Sequence, residues 1–201
     1  MIMESGAVAD VQERLAARLR GLRAARELTL DALAERSGVS RSMISLVERG
    51  ESSPTAAVLD RLAAGLGVTL ASLFADEVRE DGSPVSRRKD QREWRDPASG
   101  YVRRNLSPPH VRSPLELVEV SLPAGARVAY DTVAARSIAQ QIWIIEGTLE
   151  LTLGAAMHRL TAGDCLAMRL EGPIVFRNPA RTAARYLVAL ASDTHAGETV
   201  R

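Results

Sequence analysis

The chain has 201 residues, of which 46% are hydrophobic and 3% are aromatic, and its formal net charge is +1. This length suits one large domain or two small ones, and the hydrophobic share excludes a chain that is disordered throughout. The near-zero net charge does not by itself indicate nucleic-acid binding, so a case for DNA binding has to rest on where the charges lie.

Cysteine, histidine and hydropathy limit the class of protein further. The single cysteine, Cys165, excludes an internal disulfide and a cysteine-based zinc cluster. His110, His158 and His195 lie far apart, so the sequence predicts no metal site. No apolar run approaches the ~18 residues that a membrane helix needs, and the N-terminus lacks a signal-peptide pattern. We therefore expect a cytoplasmic protein that does not enter a membrane.

Composition divides the chain into three parts. Residues 1–76 have helical periodicity and form the first predicted domain. Residues 77–100 are strongly charged and almost free of aliphatic side chains, which predicts a linker. Trp94 is the exception within it, and we expect this ring to dock on a neighbouring domain. Residues 101–201 form a strand-rich second domain.

Five helices are predicted in the first domain. The first ends near Arg26, and Thr29 and Ser40 are placed to cap the second and third helices through their hydroxyl groups. Gly38 lies at the turn between these two helices, because glycine accepts the left-handed conformation of a tight turn. The remaining boundaries are Gly50 after the third helix, Pro54 and Thr55 before the fourth, Gly67 after it, and 70–74 for a short fifth helix.

The second domain changes to short β-rich runs separated by turn residues. Gly147 predicts a tight hairpin, and Gly163-Asp164 predicts another turn. Many short strands at near-regular spacing are typical of a sandwich or barrel. The predicted strands are 115–122, 126–130, 138–146, 148–153, 164–170, 173–177 and 184–191.

The string LTLDALAERSGVSRSMISLVERGESSPT at 28–55 resembles the Xre/Cro-type helix-turn-helix family, and the match extends over residues 10–75. Ala34 is small where two helices cross, Gly38 stands at the turn, and Ile44 anchors the third helix to the core. The resemblance implies that this helix, from Ser40 to Glu48, enters the major groove of DNA. The alternative is a helical bundle whose arginines are merely solvated.

The same resemblance implies the residues that contact DNA. Arg41 is the expected base reader, because a guanidinium group can bond guanine O6 and N7 together. Thr29, Ser40 and Arg49 are placed for phosphate oxygens. Leu46 stands where relatives often carry Gln, as does Leu30, and Leu46 suits contact with a thymine methyl group. The predicted DNA-binding set is Thr29, Ser40, Arg41, Ser42, Ser45, Leu46 and Arg49.

Two runs in the second domain, GARVAY…QQIWIIEGTLELTLG at 125–154 and LTAGDCLAMRLEGPIVFRNP at 160–179, resemble the two halves of a cupin, a small β-barrel also called a double-stranded β-helix. The family's metal ligands are histidines and a glutamate. Their positions fall at Ala134, Arg136, Gln140 and Ile174, which cannot together hold iron, manganese or nickel. We therefore expect a metal-free domain with no cofactor and no enzymatic activity.

The barrel shape still predicts an inner pocket, and an arginine together with an amide suits a small carboxylate. The predicted pocket residues are Arg127, Arg136, Gln140, Ile142, Met168 and Ile174. The alternative is that Arg136 lies in an exposed loop and that Gln140 is a satisfied polar group at the barrel mouth.

These observations predict a sequence-specific, DNA-binding transcriptional regulator. Its partners are expected to be a double-stranded operator, a small-molecule effector such as a small anion, and a second copy bound through the cupin-like domain. Two alternatives stay open: a metal-dependent cupin enzyme that carries a DNA-binding head, and a protein-interaction module that binds no small molecule.

Overall fold

The computed structural model describes residues 3–74, 82–111, 113–131, 138–169 and 172–192. Within these ranges the chain forms four α-helices, two short 3-10 turns and ten strands. The helices are α1 (Met3–Ala24), α2 (Leu30–Ser37), α3 (Arg41–Glu48) and α4 (Ala56–Leu66), and the 3-10 turns are Ala71–Leu73 and Arg88–Asp90. The strands are β1 (Glu93–Arg95), β2 (Val102–Asn105), β3 (Leu115–Leu122), β4 (Arg127–Tyr130), β5 (Ile138–Glu146), β6 (Thr148–Leu153), β7 (Ala156–Thr161), β8 (Cys165–Arg169), β9 (Ile174–Arg177) and β10 (Ala184–Ser192).

The helix caps confirm the boundaries expected from the sequence. The Thr29 hydroxyl accepts a hydrogen bond from the Ala32 N–H at 3.1 Å, and the Ser40 hydroxyl accepts one from the Met43 N–H at 3.3 Å. Gly38 ends α2 in the left-handed conformation with φ of 65°. A hydroxyl cap thus begins each of these helices, and a glycine allows the turn between them.

The prediction of a fifth α-helix is wrong. The segment Ala71–Leu73 is a 3-10 turn, in which the Phe74 N–H donates to the Ala71 carbonyl. The Thr69 hydroxyl accepts from the Ser72 N–H and so starts this turn. A run this short closes i→i+3 hydrogen bonds and does not extend into the i→i+4 pattern of an α-helix.

The core of the head forms between α2, α3 and α4, where Leu33, Ile44 and Leu59 are fully buried. The tightest helix approach is at Gly65 of α4. A Cβ atom placed there would lie 2.9 Å from the Ser37 Cβ, closer than real carbon contacts. Ala34, which the sequence placed at the crossing, is only partly buried. Gly65 is therefore the small residue that this crossing requires.

The second domain is a pair of packed antiparallel sheets, and the prediction of a closed barrel is wrong for the described part of the chain. One sheet has the order β1-β2-β3-β10-β5-β8, and the other has the order β4-β9-β6-β7. Side chains such as Ile142, Val188, Leu151 and Phe176 fill the space between the inner faces. The domain is accordingly a sandwich with a core like that of a small barrel.

Gly147 marks a corner between the sheets, so the hairpin predicted there is wrong. β5 ends at Glu146 and β6 begins at Thr148, yet β5 pairs with β10 and β8 whereas β6 pairs with β7 and β9. Gly147 has φ of 83°, and a Cβ atom there would lie 2.9 Å from the Ala183 carbonyl oxygen. Only glycine allows the chain to change sheets at this point.

The strand-rich region begins earlier than the sequence predicts, because β1 lies inside the segment 77–100 that was expected to be a linker. β1 pairs with β2 and extends the larger sheet. The expectation that Trp94 docks is confirmed: its ring lies 5.5 Å from Phe74 of the head and 5.7 Å from Tyr101. β1, β2 and β7 are strands that the predicted ranges did not include.

Asp96 ties the two domains together. This side chain is 3% exposed, and its Oδ1 accepts from the Ala56 N–H at the start of α4, with a distance of 2.9 Å. Its Oδ2 accepts from the N–H and the hydroxyl of Ser99. The Asn105 amide also donates to the Phe74 carbonyl at 3.3 Å. The head therefore rests on the sandwich through α4 and the 3-10 turn that follows it.

Candidate nucleic-acid interface and junction cavity

Helix α3 presents one polar face to solvent and buries the other. Ile44, Val47 and Glu48 are buried, whereas Arg41 and Ser42 are exposed. Of the remaining residues of the predicted DNA-binding set, Thr29, Ser40 and Arg49 are exposed, and Ser45 and Leu46 are half-buried. All seven predicted residues are therefore at least partly accessible to solvent, and their contact with DNA stays a prediction.

An ion pair between the partly buried Arg23 and the buried Glu48 fixes the position of α3. Arg23 of α1 donates from Nε and Nη2 to the two carboxylate oxygens of Glu48, each at 2.7 Å, and from Nη1 to the Leu28 carbonyl at 2.8 Å. The hydrogen bonds to Glu48 raise the pKa of Arg23. One alternative left by the sequence was that the arginines of the helical head are merely solvated. Arg23 is an exception, because its guanidinium holds α3 through two parallel hydrogen bonds to Glu48.

Arg41 and Arg49, the two cations of the α3 face, are paired with acids at the surface. Arg41 Nε lies 3.2 Å from Asp31 Oδ1, and both side chains are mostly exposed. Arg49 donates to both carboxylate oxygens of Glu51 at 2.8 Å and also bonds the Ser45 hydroxyl. The hydrogen bonds from Arg49 lower the pKa of Glu51. Exposed pairs of this kind are weak and can exchange for phosphate or base contacts.

The capping hydroxyls keep their protons available. Thr29 and Ser40 use an oxygen lone pair to accept from a backbone N–H, which leaves each O–H free to donate. The Ser40 and Ser42 hydroxyls lie 3.2 Å apart and share one hydrogen bond. Hydroxyl donors at helix N-termini suit phosphate oxygens.

A cavity of about 90 Å³ lies where the head meets the open end of the sandwich. Its head wall is formed by α4 and the residues after it, and its other wall comes from both sheets. A cavity of this size has room for several water molecules or a small ligand. It is lined by Asp60, Ala64, Val68, Thr69, Leu70, Ala71, Tyr101, Arg103, Val120, Val128, Tyr130, Gln140, Gly172, Ile174, Phe176, Tyr186, Val188 and Leu190.

The structure brings together only part of the predicted pocket. Gln140 and Ile174 line the junction cavity. Ile142 is buried between the sheets without lining it, and Met168 lines a shallower depression at the edge of the larger sheet. Arg127 is exposed on β4, with its side chain directed away from the core. Ala134 and Arg136 lie outside the described residues.

Sequence reasoning missed Arg103, the arginine that does line this cavity. It is 7% exposed, and its Nε and Nη2 have no hydrogen-bond partner in the described part of the chain. Its Cζ lies 5.4 Å from the Phe74 ring centre. Burial raises the pKa of Glu116, and the charge of Arg103 opposes that rise. Because β2 was not a predicted strand, the alternation that would place Arg103 inside the sandwich could not be applied.

Three tyrosines surround the same space. The Tyr101 and Tyr130 hydroxyls lie 3.2 Å apart, and Tyr130 packs edge-on against Phe176. Burial raises the pKa of Tyr101, Tyr130 and Tyr186, so all three remain neutral hydroxyl donors near pH 7. The lining that the structure describes therefore combines one cation, Arg103, with the carboxyl group of Asp60, neutral hydroxyls, one amide and apolar side chains.

The outer face of the larger sheet is apolar around Trp143 of β5, whereas Glu119 of β3 and Arg104 of β2 continue the same row of paired residues. Trp143 is 47% exposed, and the strand register places it between Cys165 and Leu187. Gln141 lies beside Ala167 and Ala189 in the same way. The Cys165 side chain is exposed. This face offers a strip of small and aromatic side chains to a partner.

Metal ligands and membrane spans were sought over the described ranges. No group of three or more histidine, cysteine, aspartate or glutamate side chains there is placed to hold a metal ion. No helix among those residues is long and apolar enough to cross a membrane. Of the cupin ligand positions, Gln140 and Ile174 are buried.

Comparison with known proteins agrees with this architecture. Residues 19–73 match the family model HTH_3, described as helix-turn-helix. The HTH-type transcriptional regulator SutR of Escherichia coli K12 is 26% identical over 164 residues, which cover 82% of this chain and 86% of SutR. An HTH_3 family transcriptional regulator from Vibrio cholerae is 26% identical, with a TM-score of 0.71, over 91% of this chain and 97% of that one.

The cupin domain of an XRE family transcriptional regulator from Enterobacter cloacae matches 45% of this chain and 95% of its own, with 16% identity and a TM-score of 0.42. The resemblance of the head to helix-turn-helix regulators is confirmed by these findings. The C-terminal domain is rich in strands.

Proposed function

We propose that this chain, a DNA-binding transcriptional regulator with a helix-turn-helix head, binds its operator as a dimer and responds to a small molecule in its C-terminal domain. The observation that carries the DNA-binding part is the fixed orientation of α3. Its apolar face and the Glu48 carboxylate are locked into the head by Ile44, Val47 and Arg23, and its polar face is left to solvent. Such a helix fits the major groove.

In this proposal each surface residue has a separate role. Arg41 reads a base, because it is the long cation at the N-terminal end of α3, where helices of this class contact base edges. Thr29, Ser40 and Arg49 bind phosphate, while Ser42, Ser45 and Leu46 contact neighbouring base edges. Asp31 and Glu51 hold the two arginines in the absence of DNA and release them when phosphate competes.

The affinity of the full chain for duplex DNA tests this assignment when it is measured at several salt concentrations. We expect the logarithm of the association constant to fall linearly with the logarithm of salt concentration, because phosphate contacts release counterions. Arg61 of α4, which is exposed, provides a matched control. R41A is expected to weaken operator binding more than R61A does, and equal effects would contradict the assigned face.

Dimerisation is proposed through the outer face of the larger sheet. One helix-turn-helix unit reads a short half-site, and a two-fold dimer reads two half-sites about one helical turn apart. The residues beside Trp143 are Cys165 and Leu187, and charged side chains in this row begin only at Glu119 of β3, so this part of the face can meet a second copy of itself across a two-fold axis without burying like charges. Light scattering of W143E against M157E tests this proposal, because Met157 is similarly exposed on the other sheet. We expect only W143E to become monomeric, and two dimeric variants would contradict the assigned interface.

We further propose that the chain is not an enzyme and acts in the cytoplasm, where its DNA lies. The competing candidate is a metal-dependent cupin enzyme that carries a DNA-binding head. Neither an amide nor an isoleucine replaces the histidine and carboxylate ligands that such chemistry needs, and these residues occupy two of the four positions. Elemental analysis of protein purified without chelator is expected to give well under one transition-metal ion per chain. Near-stoichiometric metal that is lost in Q140A would favour the enzyme.

A further inference from the structure

The junction cavity joins the two domains. Asp60, Ala64 and Val68 bring the head to it, and residues of both sheets, such as Arg103 and Val188, form the opposite wall. A molecule inside would therefore contact the DNA-binding head and the sandwich together. This is the property that a regulatory ligand needs if its binding is to alter the placement of the head.

Arg103 distinguishes this cavity from a packing defect. A buried guanidinium normally has its N–H groups paired, because burial of an unpaired polar group is unfavourable. The Nε and Nη2 of Arg103 have no hydrogen-bond partner in the described ranges, although the side chain is almost fully buried. Its neighbour Arg104 instead pairs through Nη2 with the Glu119 carboxylate at 2.7 Å, and of its buried nitrogens Nε lacks a partner there. The Arg103 donors are thus available to a ligand that the cavity admits.

We propose that a small organic monocarboxylate binds in this cavity, with its two oxygens on Nε and Nη2 of Arg103. This inference rests on the proposed sensing function and gives it a ligand class and a site. The planar guanidinium fork matches a carboxylate in two parallel hydrogen bonds. In this proposal Arg103, which lines the cavity, takes the anion-binding role that the sequence suggested for Arg127 and Arg136.

The other lining groups define the rest of the ligand. Neutral tyrosine hydroxyls and the Gln140 amide supply hydrogen bonds around the charged end. Val120, Ile174 and Leu190 supply an apolar surface for an aliphatic or aromatic body. Arg103 is the only cationic side chain in the lining that the structure describes, so a second carboxylate on the ligand would be buried without a partner. The site therefore prefers a monocarboxylate over a dicarboxylate.

The head wall connects the cavity to the recognition helix through α4. Asp96 holds the first turn of α4, the middle of α4 lines the cavity, and Gly65 near its end packs directly against Ser37 of α2. A shift of α4 on the sandwich therefore moves α2 and, with it, α3. A ligand that contacts both walls changes the balance between docked orientations of the head, and DNA changes ligand affinity by the same factor.

Thermal unfolding of the full chain with benzoate and isobutyrate tests the ligand class. Benzamide and isobutyramide are the uncharged controls, and succinate is the dicarboxylate control. We expect the monocarboxylates to raise the unfolding temperature more than succinate does, and the amides to leave it unchanged. Equal shifts from acids and amides, or a larger shift from succinate, would overturn the assigned ligand class, as would no shift from either monocarboxylate at concentrations up to tens of millimolar.

Arg103→Met is the central variant, and Arg127→Met is the matched control with an exposed arginine. R103M is expected to weaken monocarboxylate binding by about ten- to a hundred-fold, because it removes a charge-assisted fork, while R127M binds as the wild type does. Without ligand, R103M should unfold at the same temperature or higher, since it removes an unsatisfied buried charge. A large loss of stability without ligand, or unchanged binding, would show that Arg103 is a structural residue.

R103K provides a second test of the fork, because lysine keeps the charge but lacks the planar fork. R103K is expected to fold and to bind the monocarboxylate more weakly than the wild type, and wild-type affinity in R103K would overturn the role of the fork.

Methyl NMR of the full chain tests whether the ligand bridges the domains. Benzoate is expected to shift the methyl signals of Val68 and Leu70 in the head as well as those of Val188 and Leu190 in the sandwich. Shifts confined to the sandwich would overturn the bridging contact. Duplex DNA binding is measured on the same samples. Its absence would contradict the proposed function, whereas DNA binding without any benzoate effect would contradict only the inferred site.

Discussion

The arginines of the α3 surface and the arginine of the junction cavity differ in both solvent exposure and hydrogen bonding. Arg41 and Arg49 are exposed and already paired with Asp31 and Glu51. Arg103 is buried, and two of its nitrogens lack a hydrogen-bond partner within the described residues. Exposed ion pairs are weak and readily exchanged, whereas unsatisfied buried donors lower stability until a ligand occupies them. This difference fits our proposal that the surface makes reversible contacts with a polyanion and that the cavity holds one specific ligand.

Arg23 is a third case to compare with the surface arginines of α3 and with Arg103. Arg23 is partly buried, at 18% exposed against 7% for Arg103, and its bonds to the buried Glu48 carboxylate hold α3 in place. Three arginine environments in one small protein thus separate a structural role, a surface-recognition role and a proposed ligand-binding role. All of these arginines carry the same charge. The three environments are distinguished by the burial of the guanidinium group taken together with its hydrogen bonding.

The largest expected effect comes from breaking the ion pair between Arg23 and the buried Glu48 carboxylate. R23M leaves the Glu48 carboxylate buried without its partner, and we expect the free energy of unfolding to fall by roughly 3–5 kcal/mol. Chemical denaturation of the full chain measures the loss, with R103M as the comparison. A similar loss of unfolding free energy in R23M and R103M would show that Arg23 and Arg103 do not differ in their structural role.

The crossing of α2 and α4 gives the next effect. G65A forces a methyl group against Ser37, and we expect it to lower stability by ~1–3 kcal/mol and to weaken DNA binding. Gly21 of α1 is the matched control, because nothing lies within 4 Å of a Cβ atom built there. G21A is expected to stabilise the protein by ~0.5–1 kcal/mol, since alanine favours a helix over glycine. Stabilisation by both changes would show that α4 can move away at no cost.

The two surface arginines should differ from each other on DNA. R41A is expected to reduce the free energy of binding to the preferred operator by about 1–3 kcal/mol and to relax the preference at one base pair. R49A should weaken all duplexes alike and reduce the salt slope by about 1. Fluorescence anisotropy on a set of operator variants separates these outcomes. Uniform losses in both variants would make Arg41 a phosphate contact.

The smallest expected effect comes from the acids that hold these arginines. E51Q and D31N free Arg49 and Arg41, and we expect each to raise DNA affinity by about two- to fivefold at low salt. E146Q makes the same change of net charge on the sandwich and should have a smaller effect. If all three variants raise affinity equally, net charge explains the gain and the pairs do not restrain the arginines.

Local features of the fold could be predicted from the sequence because they depend on neighbours along the chain. The caps Thr29 and Ser40 and the turn at Gly38 follow from hydroxyl and glycine chemistry within four residues. Features set by tertiary pairing could not be predicted in this way. Gly147 has the composition of a hairpin turn but joins strands of different sheets, and no local pattern records which strands pair.

The site shows the same division. The exposed face of α3 follows from helical periodicity, whereas the DNA contacts given to its residues come from the family resemblance and stay a prediction. The bond between Arg23 and Glu48 spans 25 positions, and the junction cavity needs the docking of α4 on the sandwich. Arg103 lies in a four-residue strand whose partner is determined only in three dimensions. Its unsatisfied state is a property of the folded molecule and has no signal in the sequence.

Sequencing of duplex fragments that the full chain selects from a random pool, with wild type and R41A compared, tests the central claim most directly. That claim is that α3 reads DNA as part of a dimer. The wild type should enrich two related half-sites with centres about one helical turn apart, and R41A should lose the preference at one base pair of each half-site. A wild-type pool without a two-fold motif, or a motif that R41A leaves unchanged, would contradict it.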